Sequence, residues 1–417
     1  MSTALEPEVR DLTTLLTPKL NGKKVMKCMT KYLTAVGDNY GSTMLSLSVN
    51  VGSGEDINDE QSLELVAKMC PTNKMLLEIF QVDITFTKEI SIYTVSVPEF
   101  LRLQEEQGCP EDEKLDVFIK CYGSRTSLDA TAMKVDSDAV LLLENVKIQG
   151  YTVGDRSKGF DREHTELILR NVAKFHAAPI ALRYKNREIF EKKVHSHLKK
   201  IDIDTGLTSE AWTEMKKSLE NELKSIPEVL PFFDMITHQF DMCQERQRDL
   251  DFYEENPFNT ICHNDLWVNN VMIAYDESGK PVRVKIFDFQ LIMYASLSLD
   301  VLFFLFTSVQ NDTLLENFDY FLKFYFDEFC KSLQFFGCPV DDFTWNTFIK
   351  DIDKQAPYEF YHIVAMTKIL LIDKQKMAEQ DEITDDTFSS SEFVGPNYYE
   401  KLRLIVLEFS KRNWLIK

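Results

Sequence analysis

"HNDLWVNNVMIAYDESGKPVRVKIFDFQ", residues His263–Gln290, decides the fold. Two apolar runs, "VMIAY" (271–275) and "VRVKIF" (282–287), are each bordered by polar residues: His263, Asn264, Asp265, Asn269 and Asn270 before the first, Asp288 after the second. Asparagine and aspartate are poor strand formers, so their position at the ends of two buried strands asks for a chemical reason. Paired as a hairpin, the runs bring Asn270 and Asp288 side by side. An amide oxygen and a carboxylate are hard oxygen ligands, suited to magnesium rather than zinc. Asp265, five residues before Asn270, is not needed as a ligand and can accept a proton from an attacking hydroxyl.

That order of parts resembles phosphoryl transfer on a kinase-like fold. The kinase catalytic loop reads H-x-D-x-x-x-x-N, and here His263-Asn264-Asp265 is followed by Asn270 at the matching distance. Asp288-Phe289-Gln290 stands where kinases carry D-F-G. Upstream, "VGDNYGS" (36–42) precedes the first clear strand, and its Gly37, Asn39, Tyr40, Gly41 and Ser42 are placed to cover phosphates with backbone N–H groups. Lys68 falls in the second strand, within reach of α/β-phosphates, and Glu89 falls on the following helix, where it would pair with Lys68. Backbone groups near Glu144 to Val146 are expected to hold adenine. The predicted cofactors are ATP and Mg2+.

The first third alternates like half-buried strands around one helix. "MLSLSVNV" (44–51) and "SLELVAKMCP" (62–71) come first; Phe86, Ile90, Tyr93 and Val97 then recur at helical spacing up to Pro98; "LDVFIKCYG" and "DAVLLLENV" follow as strands. From Gly150 the periodicity turns helical, with the hairpin embedded and "DFTWNTFIKDI" and "YEFYHIVAMTKILLIDKQKM" expected as separate helices. The expected class is α+β with two lobes: residues 1–145 a small antiparallel-sheet, nucleotide-binding lobe, and 146–417 a mainly helical lobe carrying the catalytic and metal-binding loops.

The same residues carry a family resemblance. "HNDLWVNNVMIAYDESGKPVRVKIFDFQ" with "LDVLFFLFTS" after it closely resembles the ecdysteroid kinase-like proteins of insects, in the choline kinase and aminoglycoside phosphotransferase branch of the kinase fold. "GDNYGS", "FTKEISIY", "LLLENVKIQGY" and "VAKFHA" match further landmarks, and the likeness runs from about Gly37 to Val309. It implies an ATP-dependent kinase acting on a hydroxyl of a small molecule, an ecdysteroid or related lipophilic alcohol, with Asp300 supporting the catalytic loop. Two positions depart from the family pattern: Asn264 replaces a usual glycine, and Met293 replaces a frequent basic residue.

Composition narrows the alternatives. The chain has 417 residues and a formal charge of −20, which argues against a general nucleic-acid binder. The start lacks the pattern of a signal peptide, and the eight cysteines form no C-x-x-C pair, so reduced thiols in a cytoplasmic protein are expected. The apolar run Leu297–Val309 is too short for a membrane span and contains Asp300; it reads as a buried helix. "HSH" (195–197) reads as a solvated helix face rather than a zinc site. Two other functions fit the residues: a catalytically silent binding protein, and a kinase of choline or aminoglycosides. Aromatics including Trp212, Trp345, Phe348, Phe360 and Tyr361 are candidates to line an acceptor pocket.

Overall fold

The computed structural model describes residues 8–33, 42–53, 60–71, 77, 81–201, 209–249, 256–373 and 391–416. Five antiparallel strands open the chain: β1 (Lys24–Tyr32), β2 (Thr43–Gly52), β3 (Gln61–Met69), β4 (Cys121–Arg125) and β5 (Val140–Glu144), in spatial order β1-β2-β3-β5-β4. Alternate residues Leu45, Leu47, Val49 and Val51 of β2 point to one face, where they bury with Leu65, Ala67, Val140 and Leu142 under a short N-terminal helical turn, α1 (Leu12–Leu16). β1 was not among the expected strands. Lys24, Lys27 and Lys31 interrupt its pattern, as suits an edge strand whose side chains are mostly exposed.

The helix that carries Glu89, α2, runs Val82–Ser91, passes through a widened turn at Ile92–Ser96 and continues as Val97–Glu106. The helical spacing thus continues past Pro98. Proline is tolerated in the first turn of a helical segment, and the widened turn restarts the ladder just before it. "LDVFIKCYG" is also a strand only in its second half. Its first half turns to the embedded hairpin instead, with Val117 O accepting from Ile286 N at 2.8 Å.

The helical part follows a turn at Val146–Gln149. It contains α3 (Arg162–Lys185), α4 (Arg187–Lys193), α5 (Ser209–Lys224), α6 (Phe233–Asp249), α7 (Ser298–Ser308), α8 (Asn311–Phe335), α9 (Trp345–Leu370) and α10 (Tyr398–Lys411). The apolar α7 is buried all round, as its composition requires. α9 is one helix where two were expected. Pro357 lies inside it, but Phe348, Ile352, Phe360 and Val364 bury along its length, and that packing outweighs one missing backbone donor.

Embedded between α6 and α7 is more β structure than the two expected strands. β8 (Val271–Tyr275) and β9 (Pro281–Ile286) form the hairpin, β6 (Thr152–Val153), from before α3, joins its edge, and β7 (Asn259–Cys262) pairs with β10 (Met293–Ser296). A small antiparallel-sheet lobe followed by a mainly helical lobe is the two-lobe protein kinase-like fold.

Candidate functional site

The hairpin register sets the site. Val271 pairs with Ile286, so Asn270 and Phe287 meet at the open end and Phe287 N donates to Asn270 O at 3.1 Å. Asp288 follows at once. Its φ of +67° turns it out of the strand direction, a conformation aspartate tolerates better than most residues. The next side chain, Phe289, is fully buried and packs against Tyr93, Phe118, Phe175 and His263 at ring separations of 4.9–5.8 Å, which anchors the turn.

Asp265 sits on the other side of the same end. Asn270 Nδ2 donates to both the backbone O and the Oδ2 of Asp265, each at 2.8 Å, which leaves the amide oxygen of Asn270 turned away from Asp265. Burial and the nearby Asp288 carboxylate push the Asp265 pKa up to about 7.

The loop before Asp265 is held from beneath. Asp300, buried in α7, accepts from His263 N at 2.6 Å, from Asn264 N at 2.8 Å and from His176 Nε2 at 3.0 Å. Tyr325 OH meets His176 Nδ1 at 2.7 Å. Burial alone would raise the Asp300 pKa, but these donors more than offset it and the net direction is down. Asn264 has a φ of +60°, so the position does require a left-handed residue, and asparagine meets that need without glycine. His263 donates from Nε2 to Phe287 O at 2.9 Å and so ties the loop to the hairpin. Gly154, at the entry to the helical part, has no room for a side chain: a Cβ there would lie 2.8 Å from Val268 of the same loop.

Lys68 reaches this end of the hairpin from β3. Its buried ammonium contacts Glu89 Oε2 at 2.5 Å, Asp288 Oδ1 at 2.6 Å and Gln290 Oε1 at 3.5 Å. Burial would lower the Lys68 pKa, yet the two carboxylates reverse the direction and keep the amine charged. The Lys68–Glu89 pair stands as expected; the bond to Asp288 was not anticipated. Neighbouring Lys88 donates to Ile292 O at 2.9 Å and fastens α2 to the segment after Asp288.

The other expected positions divide. Gly37, Asn39, Tyr40 and Gly41 lie outside the described residues; Ser42 is half-buried just before β2, its hydroxyl 3.7 Å from Met44 Sδ. Glu144 ends β5, and Val146 begins the turn that leads to the helical part. Met293 starts β10, paired with Cys262. Phe348, Phe360 and Tyr361 are buried in the core rather than facing open space. "HSH" is a short turn in which His195 Nδ1 lies 3.1 Å from Glu191 Oε2, not a solvated helix face. All eight cysteines are free thiols. Among the described residues no three His, Cys, Asp or Glu side chains gather as a metal cluster, and no helix is long and apolar enough to cross a membrane.

Sequence reasoning missed His362. It lies on α9, far downstream of Asp265, with its Nδ1 2.6 Å from Glu359 Oε1 and its ring stacked on Phe303 at 4.3 Å. It is close enough to Asp265 for each to influence the other's titration. No local motif marks it, since only the packing of α9 on α7 brings it there.

Three solved structures align over most of the chain at low identity. An ethanolamine kinase of Plasmodium vivax is 13% identical, covering 93% of this chain and 84% of its own, with a TM-score of 0.41. A GDP complex of an aminoglycoside 2'-phosphotransferase-IIIa mutant is 11% identical, with coverages of 97% and 99% and a TM-score of 0.42. An amicoumacin kinase in complex with AMP-PNP, Ca2+ and Ami is 11% identical, with coverages of 89% and 91% and a TM-score of 0.39. A search of curated proteins returned no match. The model of the ecdysteroid kinase-like family matches residues 36–337, well over half of the chain. The chain therefore belongs to the ecdysteroid kinase-like family.

Proposed function

We propose that the protein is an ATP-dependent, magnesium-requiring kinase that transfers the γ-phosphate to a hydroxyl of a lipophilic alcohol such as an ecdysteroid. Family membership and fold support the coarser statement, a small-molecule kinase of the kinase-like superfamily. The observation that carries the nucleotide and cation part of the finer one is the convergence of Lys68, Glu89 and Asp288 on one side of the hairpin end with Asp265 and Asn270 on the other, while the lipophilic acceptor rests on the family alone.

The donor set fits a hard cation: a carboxylate of Asp288 that remains partly exposed, and an amide oxygen of Asn270 left free by the bonds to Asp265. Two side-chain oxygens suit magnesium, which usually takes its remaining ligands from phosphates and water. When bound, the ion would neutralise charge on the transferring phosphoryl group. Lys68 now neutralises Asp288; on nucleotide binding its ammonium would turn to the phosphates, while Glu89 keeps it in place. Asp265 would accept the proton of the acceptor hydroxyl as its oxygen bonds to the γ-phosphorus and the bond to the β-phosphate oxygen breaks, releasing ADP. Backbone groups of Glu144 to Val146 would hold adenine, and the Gly37–Ser42 segment would cover the phosphates.

The test is a competition. Purified protein, ATP and magnesium are incubated with an ecdysteroid, a simple lipophilic alcohol, choline and an aminoglycoside, and products are read by mass spectrometry. Phosphate on the ecdysteroid or the lipophilic alcohol supports the proposal. Phosphate only on choline or the aminoglycoside overturns the acceptor class and leaves the kinase reading intact.

A further inference from the structure

A cavity of about 440 Å3 opens in the helical part where α7 ends and α8 and α10 begin. That is the volume of a small-molecule site. None of its lining residues holds Asp265, Asn270 or Asp288. It stands off from them along α7. Asp300 supports the catalytic loop near one end of that helix, and Thr307, seven residues and about 10 Å further along, lines the cavity.

The lining is that of an anion site. Lys401 contributes from the start of α10, with only 6% of the residue exposed. Its ammonium donates to Val309 O at 3.0 Å, and among the described residues it makes no ion pair. A buried cation without a counter-charge is costly, and burial lowers the Lys401 pKa to about 7. Two helix N-termini add positive ends. α8, of 25 residues, and α10, of 14, both start at the cavity, and neither has a side chain capping its first N–H groups. Arg156, held by its bond to Ile372 O at 3.0 Å, and the exposed Lys158 complete the basic wall. Asp312 and Glu400, in the first turns of α8 and α10, offset part of this charge. They disfavour a polyanion, and their carboxylates can accept from hydroxyl groups.

We propose that this cavity binds a small phosphate monoester bearing hydroxyl groups, at a site separate from the one that would hold ATP. Its phosphate would lie between Lys401 and the two helix starts, where charge-assisted hydrogen bonds supply the missing counter-charge. Asp312 and Glu400 would accept from its hydroxyls. Calorimetric titration of the full chain with glucose 6-phosphate, glucuronate and glucose tests this. Glucose 6-phosphate is expected to bind saturably and more tightly than glucuronate, which replaces the phosphate by a carboxylate, and glucose is expected not to bind. Loss of a charge-assisted hydrogen bond corresponds to about tenfold or more in affinity, so Lys401→Met should weaken binding by that factor. Lys158→Glu, at an exposed position where folding is not at stake, should weaken it by about threefold to tenfold. ATP affinity should stay within about twofold in both variants. No binding of glucose 6-phosphate, or equal or tighter binding of glucuronate or glucose, would overturn the proposal. So would an affinity unchanged in Lys401→Met, or in Lys158→Glu should Lys401→Met fail to fold. Binding is read without turnover, so none of these results bears on the kinase reading.

Discussion

Asp265 has a conformation and an environment that make its protonation state measurable. Burial and Asp288 raise its pKa to about 7, so in the free protein it is mostly protonated below that pH and ionised above it. A proton acceptor must be ionised to work. kcat/KM is therefore expected to rise with pH through about 7 and to fall about tenfold per unit on the acid side, as a pH–rate profile would record. Asp288 gives a separate handle. Asp288→Asn removes one charged oxygen from the proposed cation donor set and one of the two carboxylates on Lys68. ATP affinity measured with magnesium should fall by about tenfold or more, whereas affinity in chelator should stay within about threefold; equal losses would assign Asp288 a structural role.

Asn264, one of two departures from the family pattern, is explained by its backbone. At φ +60° a glycine is unstrained, so Asn264→Gly should leave stability within about 0.5 kcal/mol. Asn264→Val forces a β-branched side chain into the left-handed region and should cost about 1–3 kcal/mol in denaturant unfolding. The motif residues were legible in the sequence because the catalytic-loop spacing and the strand periodicity are local. His362 and the Lys68–Asp288 bond were not, because they depend on how elements far apart in the chain dock.

At the scale of elements, α7 acts as the platform of the site. One carboxylate, Asp300, accepts two backbone donors of the catalytic loop and one imidazole, and it does so with almost no exposure to water. Asp300→Asn keeps the shape but replaces one accepting oxygen by a donor facing other donors. It is expected to destabilise the protein by about 2–4 kcal/mol and to lower turnover more than ATP affinity. Unfolding and nucleotide titrations on one preparation check both parts. Element boundaries show where local patterns mislead. Two helices were expected where α9 is one, because continuous burial carries it past Pro357, and a widened turn in α2 precedes Pro98. β1 was missed for the opposite reason: its lysines hide the alternation, and only pairing with β2 makes it a strand.

For the whole molecule, the antiparallel sheet brings Lys68, the long helix brings Glu89, and the hairpin within the helical part brings Asp265, Asn270 and Asp288 to the same place. Most of this architecture was readable from alternation in the first third and helical periodicity in the rest. The acceptor side was not, because the aromatics that seemed available for a pocket include Phe348 and Phe360, which the core consumes. The central claim is that this convergence transfers a phosphoryl group with Asp265 as proton acceptor. Its most direct test is the amount of phosphate moved from ATP to an alcohol by wild type and by Asp265→Asn, with magnesium present and with nucleotide binding measured on the same samples. The account predicts product from the wild type and a loss of about 10²–10⁴-fold in the variant at unchanged nucleotide affinity. Near-normal transfer by Asp265→Asn would contradict it.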